Sequence, residues 1–258
     1  MQRIEPLGAE MKKKHAVILF GPPGSGKTSV VRSLSINRGV AIIETGNLLE
    51  REVRLGTPVG QQIKLGKAAG NLVSTNVVKD IVLAELKRVE REVVLFDGFP
   101  RHLEQVEVFF QLLQRLRLKL CSVLVLTLYL KTATQRIAGR RFCSGCGALY
   151  NLHTNPPKVA RRCDSCGRQL LRRPDDRSEI VRRRFGTYRR ETVPVIEFFK
   201  RKHAGLYWEE SAAAPISEVG SRLSERLESC LRRNGKAQRI ATKERSKLIS
   251  GKSKKLRQ

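Results

Sequence analysis

This 258-residue sequence has no long apolar run, and it has few acidic residues for its number of basic ones. Its longest apolar stretch, CSVLVLTLYL at 121–130, falls short of the ~18 residues that a membrane-spanning helix needs, so we predict no bilayer span. The first 14 residues contain two acids and no apolar core, so we expect neither a secretory signal nor a transit peptide, and hence a cytoplasmic protein. Hydrophobic residues still make up 40% of the chain, which suffices for a globular core.

The shortage of acids leaves a net charge of +27, and the excess is unevenly placed. Residues 236–258 hold nine Lys or Arg and one Glu without a sustained apolar period, so we expect a basic, largely disordered tail. Residues 140–184 hold twelve basic and four acidic residues, and such a cluster inside a folded segment favours a phosphorylated substrate. Weak nonspecific nucleic-acid binding through the tail is the rival interpretation of the charge.

A glycine-rich segment, HAVILFGPPGSGKT at 15–28, is the most informative motif. The apolar run that opens it predicts a strand, and the residues from about Ser25 onward predict a helix. Glycines in such a loop let successive N–H groups face a polyphosphate, while the lysine reaches the phosphates and the hydroxyl residue binds Mg²⁺. The helix N-terminus adds the positive end of its dipole. We therefore predict phosphate binding by Gly21, Gly24, Ser25, Gly26, Lys27 and Thr28.

Strand and helix patterns alternate along the chain after this loop. The alternation predicts an α/β fold, in which helices cover both faces of a parallel sheet and the ligand lies at the carboxyl ends of the strands. Asp97 ends a buried strand there, so we expect it to hold Mg²⁺ through water, and Thr45 or Asn47 should cap the helix that follows residue 44. We predict strands at 40–43, 93–97 and 121–130, and helices at 58–68, 74–90, 103–117 and 131–141.

Four cysteines form two C-x-x-C pairs separated by sixteen residues, each followed by a glycine suited to a tight turn. Four thiolates with this spacing are typical of a closed, tetrahedral, structural Zn²⁺ site. Two disulfides are the alternative, which a cytoplasmic location disfavours. Cys121 and Cys230 fall in a predicted strand and a late helix, where we expect packing roles. The predicted zinc ligands are Cys143, Cys146, Cys163 and Cys166.

Together these segments resemble the adenylate kinases, in particular the type whose long lid is held by zinc. The resemblance runs from about residue 15 to 233 and does not depend on any single motif. In chain order its motifs are GPPGSGKT, ETGNLL, AGNLVS at 69–74, FDGFPRHLEQ at 96–105, RIAGRR at 136–141, YNLHTNPPKV between the cysteine pairs, and RRPDDRSEIVRRR at 172–184.

The resemblance implies a P-loop sheet core at 15–235 with two insertions, a helical AMP-binding segment near 45–74 and a zinc-knuckle lid near 141–173. A basic extension at 1–14 and the tail lie outside this core. The implied activity is reversible phosphoryl transfer from ATP, as its Mg²⁺ complex, to AMP, giving two ADP, and the implied state is a monomer.

The resemblance also implies roles for individual side chains. Asp175 and Asp176 would anchor the lid hinge. Arginines suit the phosphate roles because their planar forks grip phosphate oxygens and stay ionised. The implied catalytic cations are Lys27, Arg101, Arg136, Arg140, Arg173 and Arg184, with Arg136 on ATP and with Thr45, Arg101, Gln105, Arg173 and Arg184 on AMP.

Three positions depart from the pattern of the family. Asn47 stands where these enzymes usually carry Asp, Glu50 stands where an AMP-phosphate arginine is usual, and SAAAP at 211–215 lacks the usual Asp-Gly. These changes leave two alternatives beside the ATP and AMP reaction. One is a kinase for another nucleoside monophosphate, and the other is a nucleic-acid-binding or regulatory protein that keeps the fold with little activity.

Overall fold

A five-stranded parallel sheet forms the centre of the protein, whose computed structural model describes residues 14–68, 73–172 and 176–232. The strand order, β2-β3-β1-β4-β8, places the glycine-rich strand in the middle, with crossovers through helices. The N-terminal extension up to residue 13, Arg173, Asp175 and the basic tail lie outside the described residues. The core strands are β1 (Lys14–Phe20), β2 (Ala41–Glu44), β3 (Val93–Asp97), β4 (Leu118–Thr127) and β8 (Tyr207–Ser211).

Apolar side chains on both faces of the sheet explain why it is covered on both sides. β1 is buried from Ala16 to Phe20, and alternate residues enter two different clusters. Ile18 packs on one face with Phe96 and Phe109, while Leu19 packs on the other face with helix residues such as Val30. Burial of both faces of a parallel sheet requires helices above and below it.

The helices lie between the strands, as the alternation of the sequence predicts. Helix α4 starts where the Ser74 hydroxyl accepts the Val77 N–H at 3.4 Å. A π-helical turn, Tyr188–Thr192, joins α7 to α8. Among the helices that the structure describes, none is both long and apolar enough to cross a bilayer. The helices are α1 (Lys27–Arg38), α2 (Thr45–Leu55), α3 (Pro58–Ala68), α4 (Thr75–Lys87), α5 (Glu104–Arg115), α6 (Leu130–Gly139), α7 (Ser178–Thr187), α8 (Val193–Lys202) and α9 (216–232).

A small antiparallel sheet projects from the end of α6 and carries the four paired cysteines. Its order is β6-β5-β7, with β5 (Arg140–Cys143) between β6 (Leu149–Asn151) and β7 (Leu170–Leu171). Its own small core contains Cys143, Tyr150, Cys163 and Leu170. The segment between the core helices α6 and α7 therefore folds around its own cluster.

Several boundaries differ from those that the sequence predicts. The predicted strand 121–130 is shifted, because Arg117 takes a positive φ of 52° and the strand begins directly after it. The predicted helix 131–141 ends at Gly139, so Arg140 lies on the first lid strand and not on the helix. The predicted cap is also wrong. Thr45 is the first residue inside α2, the N-cap is Glu44, and no side chain caps it.

A disulfide joins Cys121 on β4 to Cys230 on α9, across a separation of 109 residues. Both sulfurs are buried beside the sheet in the cluster that contains Leu223 and Leu227. The predicted packing role for these cysteines is thus supplemented by a covalent link. The paired cysteines of the lid are not joined as disulfides.

Candidate active site

The glycine-rich loop turns between β1 and α1 with backbone angles that only glycine adopts without strain. Gly24 and Gly26 have φ of 79° and 86°. A Cβ on Gly24 would lie 2.8 Å from the Ala133 carbonyl oxygen, and one on Gly21 would lie 2.8 Å from the Ser25 hydroxyl. The tight packing of this loop against β4 and α6 therefore fixes the positions of its N–H groups.

Two side chains in this loop are arranged for an anion. The Lys27 ammonium donates to the Gly21 and Pro22 carbonyl oxygens, the second at 3.2 Å, so its charge lies against the backbone of the loop. The Ser25 hydroxyl is buried and has no hydrogen-bond partner in the described part of the chain. Such an orphaned hydroxyl is expected where a phosphate oxygen belongs.

Asp97 lies beside this loop at the carboxyl end of β3, in register with Leu19 of β1. Burial raises the pKa of Asp97, while the nearby Lys27 and Arg101 oppose that shift. Burial lowers the pKa of Lys27, and Asp97 opposes that shift in turn. The half-buried Thr28 lines the same cleft. A carboxylate and a hydroxyl beside a phosphate loop suit hydrated Mg²⁺, so these residues fit the ion.

Arg101 lines the same cleft as Asp97 and is anchored by its backbone. Its N–H donates to the Gln105 side-chain oxygen at 2.8 Å, and its carbonyl oxygen accepts the Thr192 hydroxyl at 3.2 Å. Burial lowers the pKa of Arg101, and repulsion from Arg184 adds to this effect. Arg101 and Arg184 are close enough to repel each other, and neighbouring cations of this kind suit a multiply charged anion.

Thr45 and Gln105 lie behind the wall of the cleft and are not part of its surface. Thr45 is 5% exposed, and its hydroxyl is unpaired among the described residues. Gln105 is 4% exposed and uses its side-chain oxygen on Arg101. The Thr45 side chain lies next to Gly98, where an added Cβ would come within 4.0 Å. Thr45 lies next to Gly98 and Gln105 holds Arg101, and both of those neighbours line the cleft, so Thr45 and Gln105 support its wall from behind.

The remaining predicted arginines lie where the lid meets the core. Arg136 donates to the carbonyl oxygens of Ala212 and Ala213, the latter at 3.0 Å. Arg140 forms a forked pair with Asp176, whose carboxylate is fully buried, and its Nε–Oδ2 distance is 2.9 Å. Arg184 lines the cleft from α7, and Arg173 lies outside the described residues.

One cleft of about 1390 Å³ collects most of these groups. Tyr150, Asn151 and Asn155 of the lid form part of its wall, facing the glycine-rich loop. Arg32 on α1 also reaches the lid, where its guanidinium donates to the Gly147 carbonyl oxygen at 3.0 Å. Of the residues predicted from sequence, the cleft is lined by Gly21, Gly24, Ser25, Gly26, Lys27, Thr28, Asp97, Arg101, Arg136, Arg140 and Arg184.

The four paired cysteines form a candidate metal site in the lid. All four sulfurs lie within 4.8 Å of one another, and the closest pairs are 3.4 Å apart. A tetrahedral site with Zn–S bonds of about 2.3 Å places sulfurs about 3.8 Å apart, so this set can hold zinc with small adjustments. Gly147 and Gly167, both with φ of 70°, donate their N–H groups back to Cys143 and Cys163 in matching turns.

Local hydrogen bonds lower the pKa of two of the four thiols towards the thiolate form that zinc requires, whereas hydrogen bonds with the neighbouring thiols raise the pKa of Cys146 to about 11. The Tyr150 hydroxyl lies 3.5 Å from the Cys163 sulfur and lowers the pKa of Cys163 to about 6. The backbone N–H of Cys146 lowers the pKa of Cys143. With four protein ligands the ion has no position for water or substrate, so a metal here is structural.

Comparison with known proteins identifies the family. A sequence model of the adenylate kinase family matches residues 19–204. The adenylate kinase of Pyrococcus abyssi is 36% identical over 207 residues, which cover 80% of this chain and 93% of that protein. That of Thermococcus kodakarensis is 36% identical over 212 residues, covering 82% and 93%, and that of Methanocella arvoryzae is 38% identical over 187 residues, covering 72% and 87%. The chain belongs to the adenylate kinase family.

The departures from the adenylate kinase pattern lie along α2. Glu50 is exposed on the rim of the cleft and makes no ion pair within the described residues. Arg51 forms an ion pair with Glu85 at 2.8 Å, so it does not replace the AMP-phosphate arginine that the family usually carries at position 50. Asn47 donates its side-chain amide to the Glu44 carboxylate at 2.6 Å. Glu44 is thus a residue of the site that sequence reasoning missed, although its place at the end of a predicted strand was the available signal.

Proposed function

We propose that the protein catalyses reversible phosphoryl transfer from ATP to AMP, giving two ADP, and so serves adenine nucleotide homeostasis. The observation that carries the proposal is that one cleft is lined by the phosphate loop of Lys27 and by the anchored Arg101, and that both cations act on the charge of Asp97 in the same cleft. The phosphates of a donor nucleotide and of an acceptor monophosphate can then lie next to each other in this cleft. Membership of the adenylate kinase family supports both substrates.

The reaction needs no general base from the protein. An ionised phosphate oxygen of AMP bonds to the γ-phosphorus of ATP, and the bond from that phosphorus to the β–γ bridging oxygen breaks, so that both products are ADP. The protein therefore contributes positioning and neutralisation of charge. In our proposal Lys27 holds the donor phosphates, Arg101 and Arg184 hold the acceptor phosphate, and Thr45 and Gln105 border the acceptor base.

Mg²⁺, when bound with ATP, neutralises phosphate charge and orients the phosphates for in-line transfer. Thr28 and, through water, Asp97 would hold it. Asp97 suits this role because it is fixed at a strand end and its charge is balanced by Lys27 and Arg101.

The lid arginines complete the enclosure of the phosphates. We propose that Arg136, Arg140 and Arg173 turn to the transferring phosphates when the lid closes, which also excludes water that would hydrolyse ATP. Arg136 donates to the Ala212 and Ala213 carbonyl oxygens beside the phosphate loop, so a short movement reaches the nucleotide. Asp176 holds Arg140 at the hinge until then.

We further propose that zinc fastens the lid without taking part in chemistry, and that the protein works as a cytoplasmic monomer. The basic tail is assigned only weak, nonspecific nucleic-acid binding. The closed set of four sulfurs supports the structural zinc, the lining of the cleft by a single chain supports the monomer, and the charge of residues 236–258 supports nucleic-acid binding.

A panel of nucleoside monophosphates tests the proposed function. With ATP and Mg²⁺ present, ADP formation is measured for each acceptor, and Lys27→Ala serves as the control for contaminating kinases. We expect the highest kcat/KM with AMP and loss of most of the rate in the variant. If a monophosphate with another base gave a higher kcat/KM, that nucleotide and not AMP would be the acceptor, an outcome that Glu50 and Asn47 permit. No turnover with any acceptor would overturn the proposal.

A further inference from the structure

Two carboxylates end neighbouring strands at the edge of the cleft. Glu44 is the last residue of β2 and is in register with Asp97, the last residue of β3. Side chains in register on adjacent parallel strands point to the same face of the sheet, and the strands are about 4.8 Å apart. Glu44 is half-buried and lines the same cleft as Asp97 and Thr28.

The Glu44 carboxylate is held in place by its own helix. The Asn47 amide, one turn into α2, donates to one Glu44 oxygen at 2.6 Å. This bond fixes the carboxylate at the strand end, where the helix begins without a side-chain cap. An amide at position 47 is suited to this because it can donate, whereas a carboxylate there would repel Glu44.

Carboxylates at this edge repel the phosphates that the cleft binds. A divalent cation surrounded by water relieves that repulsion, since its water ligands donate to carboxylates. Asp97 is already compensated in part by Lys27 and Arg101. Glu44 lies one strand further from the phosphate loop, in the strand order β2-β3-β1.

We propose that Glu44, oriented by Asn47, is the second carboxylate that binds the water shell of the nucleotide-bound Mg²⁺, beside Asp97. The pair Glu44 and Asn47 supplies the negative charge that the amide at position 47 by itself lacks. Asn47 is a positioning residue, since it acts through Glu44. The inference rests on the proposed function, because it requires a nucleotide with its metal in this cleft.

The test measures metal affinity directly, apart from activity. A bisubstrate analogue that joins ATP and AMP through their phosphates is bound to desalted protein, and Mn²⁺, as a stand-in for Mg²⁺, is titrated while free Mn²⁺ is followed by electron paramagnetic resonance. Chelators are avoided because they would also strip the lid metal. We expect Glu44→Gln to raise the Kd of Mn²⁺ by about tenfold, as for loss of a charge-assisted contact.

The affinity of the analogue without metal separates this role from others. With the metal absent, Glu44→Gln should bind the analogue as tightly as the unaltered protein or more tightly, because a repulsive charge is gone. Asn47→Ala should weaken Mn²⁺ binding less than Glu44→Gln, and Glu107→Gln, an exposed acid on α5 outside the cleft, should have no effect.

Three results would count against the inference. Unchanged Mn²⁺ affinity in Glu44→Gln would overturn it. An equal loss of analogue binding with and without metal would also overturn it, because Glu44 would then contact the acceptor nucleotide and not the metal. If Glu44→Gln does not fold, Asn47→Ala decides by the same titration, and unchanged Mn²⁺ affinity there would remove the positioning role. Failure of the unaltered protein to bind the analogue would instead refute the proposed function.

Discussion

Three cations of the cleft donate to oxygens of the protein itself. Lys27 and Arg136 donate to backbone carbonyls, and Arg140 is forked onto Asp176. Each of these bonds satisfies a buried or half-buried charge that would otherwise be costly. Nucleotide binding then exchanges carbonyl and carboxylate acceptors for phosphate oxygens, and the cations need not be gathered from solvent.

Glu50 is the residue at which the acceptor site should be weakest. It is exposed at the rim of the cleft, and Arg51 cannot compensate because it pairs with Glu85. We predict that Glu50→Arg lowers the KM for AMP by about tenfold or more, since an arginine contact to phosphate contributes roughly 1.5 to 3 kcal/mol. The KM for ATP should stay nearly unchanged. Initial rates at varied AMP and varied ATP measure both constants.

A matched charge change outside the cleft controls for the general effect of added positive charge. Glu107 is an exposed acid on α5, so Glu107→Arg alters the net charge equally without entering the site. It should leave both constants unchanged. A higher KM for AMP in Glu50→Arg would mean that Glu50 organises the pocket, and the residue-by-residue assignment at this position would be wrong.

At the scale of elements, periodicity located the helices and strands better than their ends. Pro58–Ala68 and Val93–Asp97 match the predicted ranges, because proline, glycine and the run of β-branched residues mark them locally. The strand at Leu118–Thr127 was misplaced because its start depends on a left-handed residue, Arg117, that carries no glycine signal. The sequence therefore predicted the order of the elements, while some boundaries depend on tertiary packing.

The candidate site shows the same division between local and distant signals. The phosphate loop and the cysteine pairs were predictable because all their groups lie within short, spaced motifs. The link between Cys121 and Cys230 was not, since no spacing rule connects residues 109 positions apart. Likewise the alignment of Glu44 with Asp97, 53 positions away in sequence, follows from the strand register and from no local motif.

The lid should depend on its metal for stability and not for chemistry. Replacing one ligand, as in Cys163→Ser, leaves three thiolates and weakens zinc binding, and the free energy of that binding is folding free energy of the lid. We predict a lower Tm with zinc loss, and a turnover nearly unchanged when measured well below that Tm. Calorimetry, metal analysis and steady-state rates on the same preparation measure the three quantities.

A variant in the same knuckle serves as the control for Cys163→Ser. Ser165 lies between two ligands but provides no sulfur, so Ser165→Ala should retain both zinc and Tm. Gently purified, unaltered protein that contains no zinc would contradict the assignment. So would a loss of turnover in Cys163→Ser at a temperature where the lid remains folded.

The disulfide between β4 and α9 should stabilise the core in oxidising conditions. Closing a loop of this length restricts the unfolded chain, and such links typically contribute about 2 to 4 kcal/mol. We predict that Cys230→Ser lowers the free energy of unfolding by that amount when no reductant is present. Urea unfolding measures it, and a phosphine reductant should bring the unaltered protein to the level of the variant. Equal stability of the unaltered protein with and without reductant would show that the link does not form in solution.

At the scale of the whole molecule, the net charge of +27 is larger than the few cations that line the cleft account for. Residues 236–258 supply nine of the cations and lie outside both the described residues and the matched family region. We predict that truncation after Gly235 leaves kcat and both KM values unchanged and weakens retention of RNA at low salt, because the contacts are electrostatic. Filter binding over a salt series measures the retention.

The truncated protein shows how much RNA the folded part of the chain retains without the tail. If full-length and truncated proteins retain RNA equally at every salt concentration, the tail is not the tether and the basic surface of the folded part must carry the binding. A fall in kcat on truncation would instead show that the tail contributes to the site. Either result would leave the assignment of the cleft to nucleotides untouched.

The reverse reaction tests the central claim most directly, because ADP alone must occupy both ends of the cleft. Purified protein is incubated with ADP and Mg²⁺, and the nucleotides are separated and quantified over time. The account predicts that ATP and AMP appear in equal amounts, without inorganic phosphate, until all three nucleotides reach a constant ratio. Unchanged ADP, or AMP formed together with inorganic phosphate in place of ATP, would contradict it.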